Sequence, residues 1–220
     1  MLTQKDLFAK ALMVEKPWYI HEIQFDQQAG KLEIWIDFER GSTFYYEDKE
    51  SGVKGEFKAY DTTQKTWRHL NFFQYQCYLH AWIPRVDLGD GKVRQVSAPW
   101  EGHTAGFTLL FEALILELVK VMPVHQVSQI MKTYDKKLWD MIKAYTEKAR
   151  GEEDFSEVSV VGVDETAARR GHDYVTLFVD LEEKRTIFVT DGRDQSVVGE
   201  FVVDLIEHNG VAENVTQVSC

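Results

Sequence analysis

Val158-Ser159-Val160-Val161-Gly162-Val163-Asp164 is a near-continuous apolar run closed by an acid, and the elements that follow it decide the fold. Tyr174-Val175-Thr176-Leu177-Phe178-Val179-Asp180-Leu181 and Arg185-Thr186-Ile187-Phe188-Val189-Thr190 are two more such runs, joined through Glu182-Glu183-Lys184. Short runs rich in Val, Ile, Phe and Thr with polar boundaries read as strands. Val197, Val198, Phe201, Val202, Leu205 and Ile206 then recur at three-and-four spacing, the period of a helix with one buried face. Asp194 or Ser196 supplies its N-cap and Asn209-Gly210 its end. Val215-Thr216-Gln217-Val218-Ser219-Cys220 reads as a fourth strand.

Three strands, a helix and a strand form the opening of a ribonuclease-H-like α/β fold. There, a carboxylate on the first strand meets another at the end of the fourth, and together they hold divalent metal. Asp164 is the acid on the first strand. An acid beside a buried strand is costly unless hydrogen-bonded, paired or metal-bound. The ordinary reading of a lone strand-end aspartate is a cap or a salt-bridge partner. Phosphodiester chemistry by two metals needs several converging carboxylates about 4 Å from ion to ion, which one aspartate does not supply. Asp180 and Asp191, at hairpin and strand ends where solvated acids are common, read as structural.

Upstream, the pattern is helical. Phe107, Leu110, Phe111, Leu114, Ile115, Leu118 and Val119 mark about four turns that Met122-Pro123 stops. A two-turn helix, Val124 to Met131, follows. After the break Lys132-Thr133-Tyr134-Asp135 comes a longer helix through Leu138, Trp139, Ile142 and Tyr145 to Arg150. Short helix, tight connection and second helix make a helix-turn-helix, whose second helix enters the DNA major groove. Lys132, Lys136, Lys137 and Lys143 lie on or beside it and are the candidate phosphate contacts. Spacing alone equally allows a three-helix packing unit with solvated lysines. Gly151-Glu152-Glu153-Asp154 marks a linker.

Residues 1 to about 100 read as β-rich and aromatic. Lys31 to Phe38 alternates apolar with polar, and Gly41 closes it. Cys77 to Val86 is another strand, and the turn Asp87-Leu88-Gly89-Asp90-Gly91 leads into Lys92-Val93-Arg94-Gln95-Val96, a hairpin. The expected organisation is therefore α+β: a β-rich module over 1–100, the helix-turn-helix over 101–150, and the start of the α/β domain over 151–220.

The 220-residue length fits one large or two small domains. No apolar run approaches the roughly 18 residues of a membrane span, so no membrane partner is expected. Two cysteines, Cys77 and Cys220, form neither a disulfide framework nor a cysteine zinc site; the expected compartment is the reducing cytoplasm. The net charge of −11 is uneven: residues 1–150 hold 20 basic and 20 acidic side chains, residues 151–220 hold 5 and 16. An acidic half is usually a solvated surface, and it is also what a metal-dependent nuclease presents before its ions bind.

Read together, these residues resemble the DDE transposases of the ISL-three type of bacterial insertion sequences. The likeness runs from about Tyr60 through Tyr60-Asp61-Thr62, Trp67-Arg68-His69-Leu70, Tyr78-Leu79-His80-Ala81, Pro84-Arg85-Val86, Arg94-Gln95-Val96, Pro99-Trp100 and Phe107 to Leu114. It is most specific at Val161-Gly162-Val163-Asp164-Glu165-Thr166 with Arg169-Arg170-Gly171-His172-Asp173-Tyr174. The resemblance implies that Asp164 is the first acid of the catalytic triad and a metal ligand, that Mg or Mn serves the full-length enzyme, and that the partner is DNA at transposon ends, with a homo-oligomer assembled on it.

Two departures stand out. Such enzymes usually carry a small zinc module with cysteine pairs near strand ends; here Asp87 and Asp90 stand at the second pair and Tyr46-Glu47-Asp48-Lys49 at the first. Carboxylates are poor zinc ligands beside thiolate and imidazole, so a zinc-ribbon-like module without zinc is expected, held by Trp67, Phe72, Phe73, Tyr75, Tyr78 and Trp82, with His69 and His80 in packing or hydrogen-bonding roles. The second departure is that the chain stops before the family's second aspartate. The sequence therefore reads as an amino-terminal portion, inactive in cleavage alone. The alternative is a truncated, non-catalytic protein that occupies transposon ends or represses transposition.

Overall fold

The computed structural model describes residues 2–48, 52–167 and 174–219. Lys49, the Arg169-Arg170-Gly171-His172-Asp173 part of the motif, and Cys220 lie outside the described residues. The chain divides into two compact units, Met1–Ala144 and Tyr145–Cys220.

The first unit opens with α1 (Gln4–Ala11), capped by Thr3, whose hydroxyl accepts from the Asp6 N–H. The strands are β1 (Trp18–Asp26), β2 (Lys31–Phe38), β3 (Thr43–Glu47), β4 (Lys54–Lys58), β5 (Asp61–Phe72), β6 (Tyr75–Asp87) and β7 (Val93–Gln95). One sheet runs β1-β2-β6-β5, with β7 paired to the end of β6, while β3 and β4 form a separate hairpin. The alternation in β2 buries Leu32, Ile34 and Ile36 completely. Its neighbour β6 buries Cys77, Leu79, Ala81 and Ile83, and the two pair in parallel from Lys31 opposite Gln76 to Ile36 opposite Ala81. The expected β6–β7 hairpin is present but short, and the long partner of β6 is β5, from Asp61 opposite Arg85 to Phe72 opposite Tyr75.

The aromatic core differs from expectation. Trp67 is buried, and Trp100 packs edge-on against it and against Trp18, at 5.9 and 5.2 Å between ring centroids. Tyr75, Tyr78 and Trp82 are half-buried. Phe72 is 36% exposed and Phe73 80%. The register shifts between His69 and Phe72, so the tip of the β5–β6 hairpin leaves the alternation that buries Trp67. Phe73 takes a φ of +53° there, unusual for a bulky side chain.

Three helices complete the unit: α2 (Leu109–Val119), α3 (Val124–Met131) and α4 (Asp135–Arg150), whose last turn belongs to the second unit. Helix α2 begins two residues later than its apolar period predicts. Phe107 and Thr108 stay extended because the backbone clasps them to β5: Arg68 N–H donates to Gly106 O and Thr108 N–H to Arg68 O. The Thr108 hydroxyl then caps α2 by accepting from Phe111 N–H.

In the second unit, β8 (Val160–Ala167), β9 (Tyr174–Asp180) and β10 (Arg185–Asp191) are antiparallel neighbours, α5 (Ser196–Glu207) follows, and β11 (Gln217–Ser219) pairs in parallel with β8, giving the order β10-β9-β8-β11. Val197, Phe201 and Leu205 bury one face of α5, with Phe201 stacked on Phe178 at 4.3 Å. Asp194 accepts from Ser196 N–H at the start of α5. Beyond its end, Gly210 is required: a Cβ would lie 2.6 Å from Leu205 side-chain atoms. The expected strand from Val215 is shorter, because residues 212–214 form a 3-10 turn. The linker is pinned: Phe155 is fully buried, its N–H donates to His208 O, and the guanidinium groups of Arg150 and Arg185 lie over its ring.

Candidate nucleic-acid interface and carboxylate

Helix α2 is welded to the β-sheet by the Trp67-Arg68-His69 motif. Trp67 enters the core, and the next side chain, Arg68, is also buried. Its guanidinium donates to Cys77 O at 3.0 Å and to Asn71 Oδ1, and lies 5.2 Å from the Tyr78 and Phe111 ring centroids. His69 Nδ1 is 2.9 Å from the Thr108 hydroxyl that caps α2. Burial, and then the Arg68 charge, push His69 down to about 4, so the ring is neutral near pH 7. The fully buried Glu112 accepts from the backbone N–H groups of His103 and Thr104, and its carboxylate fills the space a Cβ at Gly102 would need.

The turn from α3 to α4 has its own lock. Lys132 takes a left-handed conformation, φ +50° and ψ +53°, and Thr133 N–H donates back to Ser128 O. Asp135, first residue of α4, accepts from the Ser128 hydroxyl and lies 2.9 Å from His125 Nδ1. The Ser128 hydrogen bond, then that of His125, hold its carboxyl below the usual range. Val127, Met131, Leu138 and Met141 are buried, fixing which face of each helix turns inward.

The predicted lysines are all exposed. Lys132 lies in the turn; Lys136 and Lys143, seven residues apart, share the outer face of α4; Lys137 is to one side, its Nζ 5.7 Å from the Phe107 ring centroid. Trp139, counted among the apolar positions of this helix in the sequence, is 57% exposed, and Tyr134 just before the helix is 78% exposed. Position 139 follows the buried 138 by one residue, about 100° around the helix, which turns it outward.

Asp164 is exposed and lies opposite Leu177 on β9. It does not close its strand: β8 continues to Ala167. Parallel β11 runs alongside, Ser219 opposite Gly162, two residues before Asp164. Glu165, next in the strand, points to the opposite face. Asp180 is structural, and it is buried, not solvated: it accepts from the N–H groups of Glu182 and Glu183. Among the described residues no group of three or more His, Cys, Asp or Glu side chains is arranged to hold a metal.

At the strand ends where the resemblance implies cysteine pairs, Arg94 meets Asp48 at 3.2 Å and Asp90 at 2.7 Å. Asp90 is held down to about 2 by its hydrogen bond from Arg94. Asp87 accepts from Gly89 N–H. His80 Nδ1 is 2.9 Å from the Thr66 hydroxyl, and its ring stacks on Trp35. Asp61 accepts two hydrogen bonds from Arg85.

The first unit thus carries a helix-turn-helix on a β-sheet, and the second is a mixed sheet with Asp164 exposed on its first strand. Two family models match accordingly. Residues 96–146 match the helix-turn-helix domain of transposase family ISL3, and residues 161–220 match a transposase domain of the same family. Both matches point to one family, the ISL3-type transposases. The chain is 24% identical over 198 residues to the transposase for insertion sequence element IS1557 of Mycobacterium tuberculosis, covering 89% of this chain and 45% of that protein. It is 24% identical over 151 residues to the transposase for insertion sequence element IS1001 of Bordetella parapertussis, covering 67% and 37%. The chain thus spans less than half the length of these relatives. No solved structure matches. Among the described residues, no helix is long and apolar enough to cross a membrane.

Proposed function

We propose that this chain is the end-binding and opening catalytic portion of a transposase whose full-length form cleaves DNA at terminal inverted repeats and transfers the strands. Residues 1–100 form a zinc-ribbon-like support that uses the Asp48–Arg94–Asp90 cluster in place of zinc. Residues 101–150 present α4 to the major groove, with Lys132, Lys136, Lys137 and Lys143 on phosphates, as expected of charge placed beside a recognition helix. Residues 151–220 open a ribonuclease-H-like domain in which Asp164 is the first catalytic acid. The observation that carries this reading is the parallel pairing of β11 with β8, since chain leaving Ser219 in that direction runs toward the level of Asp164.

One carboxylate with its neighbour on the opposite face does not hold a divalent ion pair. In the full-length enzyme Mg or Mn would take Asp164 as one ligand among several. The protein acts in the cytoplasm, on DNA, and assembles there as a homo-oligomer. The family match over 161–220 is to the transposase domain itself, which does not favour a non-catalytic repressor.

The test has two parts. Salt-titrated binding to the element's terminal repeats should weaken in Lys136→Ala/Lys137→Ala, with the salt slope reduced by about 2, one per lost phosphate contact. An unchanged slope removes these lysines from the interface. Metal-dependent nicking of the same repeats should appear with the full-length protein, vanish in its Asp164→Asn variant, and be absent from the 220-residue chain.

A further inference from the structure

Trp139 is out of place on a soluble helix. Its neighbours at 138 and 141 are fully buried, yet Trp139 leaves 57% of its surface in water. It sits in the second turn of α4, with Lys136 one turn before it and Lys143 one turn after, on the same outer face. Asp140 shares that face. The local charge opposes that of the whole chain: residues 132–143 hold four lysines against Asp135 and Asp140, in a protein of net charge −11. Of those two acids, Asp135 is occupied by Ser128 and His125. A large apolar ring in a cationic frame fits a partner that is anionic outside and apolar within reach of the ring. Duplex DNA seen from the major groove is such a partner. Phosphates line its rims, and the thymine C5 methyl is the apolar group on its floor.

Resting on the helix-turn-helix reading above, we propose that Trp139 reads sequence, packing its indole against thymine methyl groups in the major groove while Lys136 and Lys143 fix the register of α4 on the flanking phosphates. A helix laid in the groove presents the residues of its first turns to the base edges, and Trp139 is the fifth residue of α4. The lysines carry no base information, since phosphate contacts position and base contacts specify. The preference of this helix for T·A pairs then falls to the ring.

The experiment uses the 220-residue chain and a 20-base-pair duplex that it selects from a randomised pool, with affinity measured by fluorescence anisotropy at fixed salt. Each thymine in turn is replaced by deoxyuridine, which removes only the methyl. With the wild-type chain, one or two replacements should weaken binding about fourfold each, the worth of one buried methyl. Trp139→Ala should bind the parent duplex about tenfold more weakly or worse, lose the sensitivity to those replacements, and keep the wild-type melting temperature because the side chain is exposed. Trp139→Phe, which keeps an apolar ring, should retain part of the methyl sensitivity. Trp139→Ala affinity within twofold of wild type, or deoxyuridine losses that persist in full in Trp139→Ala, would overturn the proposal while leaving DNA binding by α4 standing. If no duplex is enriched over random DNA, the helix-turn-helix reading fails and this inference falls with it.

Discussion

The two units are held together by different means. Of the buried polar side chains among the described residues, Arg68, His69, His80, Thr108, Glu112 and Ser128 lie in the first unit and Thr176 and Asp180 in the second. Several in the first unit join segments far apart in sequence, as His69 does with Thr108 and Arg68 with Phe111. The second unit has fewer buried ones: beside strand alternation and one apolar helix face it relies on the partly buried Arg150, which donates to Ile187 O and to Asp204, while Asp180 accepts from its own hairpin turn. Buried polar networks fix geometry more sharply than apolar contact does, and they lose more when one member is removed. The unit that carries the helix-turn-helix match holds more of these buried anchors.

All six tryptophans, Trp18, Trp35, Trp67, Trp82, Trp100 and Trp139, lie in the first unit, so their emission follows that unit alone. Trp67→Ala should cost it about 3–5 kcal/mol, as expected for a fully buried aromatic. The emission midpoint in denaturant should fall, while amide exchange in β8 to β10 stays at wild-type rates. If both move together, the two units unfold as one and the contrast between them is broken.

A smaller effect comes from pH. His69 titrates at about 4 in the folded protein against about 6.5 in an unfolded chain. Between those values the unfolded state binds the proton and the folded state does not, so stability is lost as pH falls through that window. The total is roughly 3 kcal/mol from this group. Burial shifts His80 in the same direction. Equilibrium unfolding of the first unit by tryptophan emission at pH 7 and pH 4.5 should show the loss, and His69→Gln should flatten it. An equal slope in the variant would mean that another group carries the pH dependence.

The smallest effect sharpens the contrast at the turn. Lys132 holds a left-handed conformation that costs a non-glycine residue about 1 kcal/mol. Lys132→Gly should therefore raise the melting midpoint slightly while lowering the salt dependence of DNA binding by about one phosphate contact. A fall in the midpoint would show that the lysine stem contributes packing that outweighs its backbone strain.

These differences explain what could be read in the sequence. The strands β2, β8, β9 and β10, helix α3 from Val124 to Met131 and the order of elements after residue 158 follow from local period, because each buries its own alternate or three-and-four residues. The start of α2 was not legible, since it depends on β5 residues some forty positions upstream clasping Phe107 and Thr108. The inward or outward aim of Trp139 and Phe73 was equally hidden. A large apolar residue next to buried positions counts as core in any pattern, and only the helix phase or the register shift at the hairpin tip turns it outward. The sequence put Asp164 at the end of its strand, and its place within β8, beside a parallel strand, needed the pairing itself.

The parallel pairing of β2 with β6 also sets a schedule. Partners in that ladder are 45 residues apart in the chain, so a ribosome that has finished the β1–β2 hairpin still has β3, β4 and β5 to make before β6 emerges. At 5–20 residues per second that is roughly 2–9 s, during which Leu32, Ile34 and Ile36 have no sheet neighbour on the β6 side. The newborn first unit therefore passes through a window in which an apolar strand edge is open to other chains, and that window closes only once residue 81 has left the exit tunnel.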